Sequence, residues 1–174
     1  CRLAASSKIS AMNLIECFSP SLHGRAAKTA LWWNDRTFTF GDLDRASDRV
    51  ATALRDRHRL APGDRVSMYL GNAPELIVFY LAAMKIGAIV VPMNVLYRDR
   101  ELSHLVTDAA SRLVLCDTER WAVFGPLRKN FTAVEQVVLA DGHGQDGTLP
   151  WSALDNGQDV PAWMSPRSTA TPPR

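Results

Sequence analysis

What the 174-residue sequence lacks narrows its chemistry first. There is no G-x-x-x-x-G-K-[ST] stretch, and so no P-loop to cradle phosphates. There is no G-x-S-x-G elbow, which removes the nucleophile signature of α/β hydrolases. The four histidines, His23, His58, His104 and His143, are scattered without metal-ligand spacing, and His104 reads as a surface residue. The three cysteines, Cys1, Cys17 and Cys116, are an odd set with no C-x-x-C pair, so they read as reduced thiols of a cytoplasmic protein. Neither sign of charge dominates. With 20 Lys and Arg against 18 Asp and Glu, the net +2 makes no case for nucleic acid or an anionic membrane. No apolar run approaches the roughly 20 residues of a transmembrane segment, and no signal-peptide core stands at the N-terminus.

What is present, 47% hydrophobic and 22% charged, is the composition of one ordinary globular domain. The chain opens on Cys1 and its first methionine is Met12, so residues 1–11 read as a disordered extension outside the fold. The fold is expected over residues 12–163. Residues 164–174 hold Pro, Ser, Thr and Arg and read as a disordered tail.

The stretch Gly63–Asn94, GDRVSMYLGNAPELIVFYLAAMKIGAIVVPMN, organises the rest. Val66–Leu70 reads as a buried strand after the Pro62-Gly63-Asp64 turn. Asn72 is expected to cap a helix, Glu75 to complete a capping box, and Pro74 to occupy the first turn. Leu76–Met84 is wholly apolar and predicts a helix buried nearly all round, with Lys85 suiting its negative end and Gly87 closing it. Ala88–Val91 is then a second buried strand, stopped by Pro92. Two buried strands joined by a buried helix predict a βαβ unit in a parallel sheet.

Flanking signals extend this pattern. Asn13–Phe18 predicts a short helix packing Leu14, Ile15 and Phe18 on the core. Thr29–Trp33 and Arg36–Phe40 predict a hairpin that leaves either Trp32 or Trp33 half exposed. Thr39 is expected to cap an amphipathic helix reaching about Arg57, with Asp42, Asp44 and Asp48 on a solvated face and not a catalytic carboxylate pair. A helix from Asp99, a strand at Arg112–Cys116, a helix over Glu119–Arg128, a strand at Gln136–Ala140 and a turn at Pro150–Leu154 follow. Strand and helix alternate, so the fold class is α/β with a parallel sheet. Asn94, Tyr97 and Arg98 follow a strand end and are expected to build a turn. Gly142–Gly147 matches G-x-G-x-x-G, yet no helix is predicted to open inside it, which favours a glycine loop over a dinucleotide fingerprint.

Two segments, FTFGDLDRASDRVATAL (Phe38–Leu54) and PGDRVSMYLGNAPELIVFYLAAMKIGAIVVPMNVLYRDRELSHLVTDAASRLVLCD (Pro62–Asp117), stand in the order and spacing of a known family. They resemble the N-terminal domain of adenylate-forming (AMP-binding) enzymes, acyl-CoA synthetases above all, with fatty-acyl- and malonyl-CoA synthetases as equal choices. The resemblance runs from about Asn13 to Asp141. It implies a two-step ligation in which a small carboxylic or fatty acid attacks Mg-ATP, and coenzyme A then takes the acyl group. ATP, Mg2+ and CoA are the cofactors so implied. The resemblance also implies a Ser/Thr/Gly-rich phosphate loop ending in Lys, an adenine and ribose site, and a lysine from a C-terminal domain. None of these is found here, so no catalytic, cofactor-binding or metal residue is assigned to any position. The switch to SPRSTATPPR near the expected phosphate loop reads as a frameshift or premature end. The expectation is an N-terminal part of a ligase that is inactive alone and binds these cofactors poorly. The alternatives are a non-catalytic fragment pairing with a complementing C-terminal chain, and a dinucleotide-binding domain.

Overall fold

The computed structural model describes residues 14–144 and 147–163. The expected extension 1–11 and tail 164–174 lie outside the described residues, as do Asn13 and the 145–146 pair of the glycine motif.

Helix α1 (Leu14–Gly24) leads into an antiparallel hairpin of β1 (Thr29–Trp33) and β2 (Arg36–Thr39). The Asn34-Asp35 turn works because Asn34 adopts φ 51°, which a short polar side chain tolerates. Trp32 is exposed and Trp33 half-buried, as alternation along a strand requires. Helix α2 (Phe40–Asp56) starts at the expected cap: Thr39 Oγ1 accepts from Asp42 N at 3.1 Å, and Asp42 Oδ2 accepts from Thr39 N at 2.9 Å.

Five strands then form one parallel sheet. They are β3 (Arg65–Tyr69), β4 (Ile89–Pro92), β5 (Leu113–Cys116), β6 (Gln136–Leu139) and β7 (Leu149–Pro150), in the order β4-β3-β5-β6-β7. From β3 the chain crosses outward to β4 through α3 (Pro74–Ile86), then returns past β3 to β5 through α4 (Asp99–Ala109). Crossovers in parallel sheets share one hand, so reversing the direction of travel moves the helix to the opposite face. The packing follows. Leu113 and Leu115 of β5 and Val138 of β6 join the core under α1, α2 and α3. Val114, Cys116, Val137 and Leu139, which alternate with them, join the core under α4 and α5 (Thr118–Phe124). Each fully buried side chain of this size contributes roughly 1.5–3 kcal/mol. Ser67 points into a face otherwise apolar, and its hydroxyl is satisfied by Ser111 Oγ at 2.7 Å.

Several expectations are corrected. Helix α1 buries only Ile15 and Leu22, two turns apart, while Leu14 and Phe18 stay exposed, because α1 lies along the rim of α2 and α3. The N-cap of α3 is Ala73, with no side-chain cap: Pro74 fixes the first helical position, which leaves Asn72 one residue too early to cap. Strand β4 is an edge and not a buried strand, with Ile89 exposed and Pro92 tolerated inside it. The helix over Glu119–Arg128 is α-helical only to Phe124 and continues as a 3-10 turn over Gly125–Asn130, with Pro126 at its start. Strand β7 has no signal in the sequence, since two residues ending in Pro carry no alternation.

The largest correction concerns α2. Asp48 is buried and Asp44 half-buried, and both meet the buried Lys85 of α3. Lys85 Nζ donates to Asp44 Oδ1 at 2.7 Å, Asp48 Oδ1 at 2.5 Å and the Asp44 carbonyl at 3.1 Å. Asp44 also takes His23 Nε2 at 3.3 Å. One face of a helix that reads as solvated therefore closes over an ammonium.

Two outcomes follow from this packing. Lys85→Ala leaves two carboxylates facing each other in the core and is expected to cost about 3–5 kcal/mol in urea unfolding, while Lys85→Met with Asp44→Asn and Asp48→Asn recovers much of that loss. Thr39→Ala removes the cap of α2 at a cost of about 1 kcal/mol. The backbone and hydroxyl of Thr39 hold the Asp42 carboxyl below the usual carboxylate range. The Asp42 contribution is thus complete above the unfolded-state pKa and lost as pH falls through the depressed one, so unfolding midpoints of Asp42→Ala and wild type draw together in acid.

Candidate functional site

Reversal of the crossover direction opens a crevice at the carboxyl ends of β3 and β5, the place where open α/β sheets hold ligands. The crevice has a volume of about 290 Å³ and is walled by Leu70, Gly71, Asn72 and Ala73 after β3, by Asp117 after β5, and by Ala140 and Asp141 after β6. Trp33 of the hairpin and Glu75 of α3 close its rim. Parallel strands in register bring these loop starts level with one another: Tyr69 pairs with Cys116 and Cys116 with Leu139.

The polar groups in the crevice are tied to one another. Asp117 Oδ2 accepts from Gly71 N at 2.9 Å, and Oδ1 accepts from Arg120 N at 2.8 Å, which caps α5. Asp141 Oδ1 accepts from Thr118 N at 2.8 Å and Thr118 Oγ1 at 3.0 Å. Each carboxylate thus bridges two strand ends. Asp117 carries a readable signal, an Asp just past an apolar strand and three residues before the Arg120 amide it caps. Its bond to Gly71, 46 positions away, has no sequence signal.

Burial sets the chemistry of two titratable side chains. Burial, aided by the charges of Asp117 and Asp141, pushes the Cys116 thiol far up, so it stays protonated and inert. His58 is half-buried, and burial with the Arg57 charge pushes its pKa down, leaving a neutral ring with no partner at Nε2. Among the described residues no group of three or more His, Cys, Asp or Glu is placed to hold a metal ion.

The other positions singled out by sequence fall apart from the crevice. Tyr97 accepts at its carbonyl from Tyr69 Oη at 2.7 Å, Asn94 Oδ1 accepts from Leu96 N at 2.9 Å, and Arg98 donates to the carbonyls of Val95 and Tyr97. All three residues serve the turn after β4, as expected. Gly142, Gly144 and Gly147 lead into β7 and a 3-10 turn at Trp151–Ala153, so no α-helix N-terminus follows them to receive a pyrophosphate. A second cleft of about 430 Å³ lies between α2 and Trp151, where Arg49 holds Asp155 through two bonds of 2.6 and 3.1 Å.

The family described as AMP-binding enzyme matches residues 18–172. The 3-hydroxybenzoate--CoA/4-hydroxybenzoate--CoA ligase of Thauera aromatica is 32% identical over 120 residues, covering 69% of this chain and 23% of the ligase. The 3-hydroxybenzoate--CoA ligase of Aromatoleum sp. (strain CIB) is 31% identical over 136 residues, covering 77% of this chain and 26% of the ligase. The chain therefore spans about a quarter of the length of these curated relatives. In three dimensions the anthranilate CoA ligase AuaEII, solved with anthranoyl-AMP, shares the fold with a TM-score of 0.81 at 24% identity, over 88% of this chain and 30% of that one.

Asp117→Ala is expected to remove both the α5 cap and the Gly71 tie, lowering stability by about 1–3 kcal/mol in urea unfolding. Asp117→Asn keeps a single acceptor oxygen and sets its Nδ2 donor against the other amide, so it should lose at least half of that difference.

Proposed function

The chain belongs to the family of AMP-binding enzymes, and we propose from that premise that it forms the N-terminal part of an ATP-dependent acyl-CoA ligase. In the proposed reaction a substrate carboxylate attacks the α-phosphate of Mg-ATP, giving acyl-adenylate and pyrophosphate. The thiol of coenzyme A then attacks the acyl carbon, releasing AMP and leaving a thioester. The family match over residues 18–172 carries this reading. The aryl carboxylates named for the two relatives are the acids to test first, ahead of fatty acids and malonate. A cytoplasmic setting, where ATP and CoA are both available, fits the proposed reaction. No helix of the described residues is long and apolar enough to cross a membrane.

In this division of labour the present residues build a frame. Phosphoryl-centre chemistry runs on positioning and charge stabilisation. Asp117 and Asp141 at the crevice, and Asp44, Asp48 and Lys85 between α2 and α3, bond to partners inside the fold, so none of the steps is assigned to them. Cationic and metal-binding groups for the phosphates are to come from elsewhere in such a ligase. A separately encoded remainder serves as well as a continuous one, a reading favoured by exposed apolar side chains such as Trp32.

Pyrophosphate exchange with Mg-ATP and 3-hydroxybenzoate, 4-hydroxybenzoate or benzoate is the direct test. Residues 1–174 alone are expected to give no exchange above a no-protein control. The same chain followed by a ligase remainder, expressed as one polypeptide, is expected to give exchange with at least one acid. Exchange by the 174 residues alone overturns the division of labour, and silence of the extended protein toward every acid overturns the ligase reading.

A further inference from the structure

Trp32 projects from β1 with 71% of its surface exposed, the largest side chain so displayed among the described residues. It stands beside an apolar cavity of about 310 Å³ formed by Leu31, Trp32, Trp33, Ala73, Leu76 and Ile77, between the hairpin and the first turn of α3. A tryptophan so placed leaves its area unburied without a partner, which is how a binding anchor looks before its partner arrives.

The cavity adjoins the crevice at the strand ends, since Trp33, Asn72 and Ala73 line both. Along that margin stand Glu75 and Asp141, with Asp117 paired to Arg120 at 3.4 Å, and among the described residues no Lys or Arg lines either cavity. The surface is thus an apolar trough with an acidic border. It suits a segment of aliphatic or aromatic side chains flanked by basic ones. The Thauera and Aromatoleum relatives hold 77% and 74% of their length outside the match, as the matched shares of 23% and 26% leave, so a ligase of this kind has ample chain to supply that segment.

We infer that the trough between the β1–β2 hairpin and the start of α3 is the docking surface for the part of the ligase outside the described fold, with Trp32 as its anchor and a basic-flanked apolar segment as its occupant. The inference rests on the ligase reading above for the identity of the occupant. Other exposed apolar residues, such as Leu96 at 74% exposure on the turn after β4, line neither cavity and are not part of it.

The test uses residues 1–174 and, as a separate polypeptide, the portion of the Aromatoleum 3-hydroxybenzoate--CoA ligase that follows its matched region, mixed and followed by sedimentation velocity. The unsubstituted chain is expected to pair with it. Trp32→Lys should weaken pairing by about tenfold or more, and Leu96→Lys should leave it unchanged. Amide exchange in β1 and the first turn of α3 of the unsubstituted chain should slow on pairing, a readout that stands even where a variant misfolds. Absence of pairing, equal weakening by both substitutions, or unchanged exchange in β1 overturns the inference. Sedimentation needs no turnover, so pairing without pyrophosphate exchange counts against the ligase reading and leaves the docking surface standing.

Discussion

A single ammonium inside the core sets how the largest helices of this fold lie together. Lys85 sits in the last turn of α3 and is buried, yet its Nζ meets two carboxylates and a carbonyl of α2. A charge in that position is tolerable only where its donors are matched by acceptors in good geometry. The matching constrains α2 against α3 more sharply than apolar contact does, since aliphatic surfaces slide at little cost while an unpaired ion does not. Helix α2 in turn continues directly from the hairpin through the Thr39 cap, and α3 joins β3 to β4. Fixing the two helices thereby fixes the hairpin relative to the sheet, and with it the position of Trp33 over the strand ends.

The second constraint is topological. Because the chain steps from β3 outward to β4 and then back across to β5, the loops after β3 and β5 diverge to opposite faces and cannot fill the space between them. The crevice is a consequence of connectivity and would open whatever side chains lined it. This chain spends its polar side chains there on holding the edges together: Asp117 ties the β3 end to the β5 end, and Asp141 ties the β5 end to the β6 end. Such bridging keeps the crevice shape fixed without placing a reactive group inside it.

What could be read from the sequence was local. The Thr39 cap, Pro74 at the start of α3 and Gly87 at its end act within a few residues, and all three hold. At Gly87 the reason is doubly physical: φ is 75°, and an added Cβ would stand 3.2 Å from Pro62. The parallel α/β class followed from such signals in series. What escaped depends on partners far along the chain. Lys85 looks like a dipole-compensating residue until its partners, 41 and 37 positions back, are placed beside it. The apolar run at β4 reads as buried, and only the strand order reveals that it stands at the end of the sheet. Asn72 failed for a local reason: a cap residue and a proline competed for the same start, and the proline's fixed φ won.

The same distinction separates what fixes a backbone path from what a phosphoryl-centre step requires. Positions that set a backbone path, such as a left-handed glycine or a buried ion, admit few substitutes, so they leave a strong pattern in the sequence. Catalysis of a phosphoryl-centre step asks for something different: charges held out toward a substrate, desolvated but not neutralised by neighbours. Here Lys85 is neutralised by Asp44 and Asp48, Arg49 by Asp155, and Arg112 by Asp64 and Glu135. A charge already paired inside the fold has no field left to stabilise a developing one. The paired charges hold the frame together, and the surface around Trp32 is apolar. Apolar surface recruits other protein. It does not activate a carboxylate.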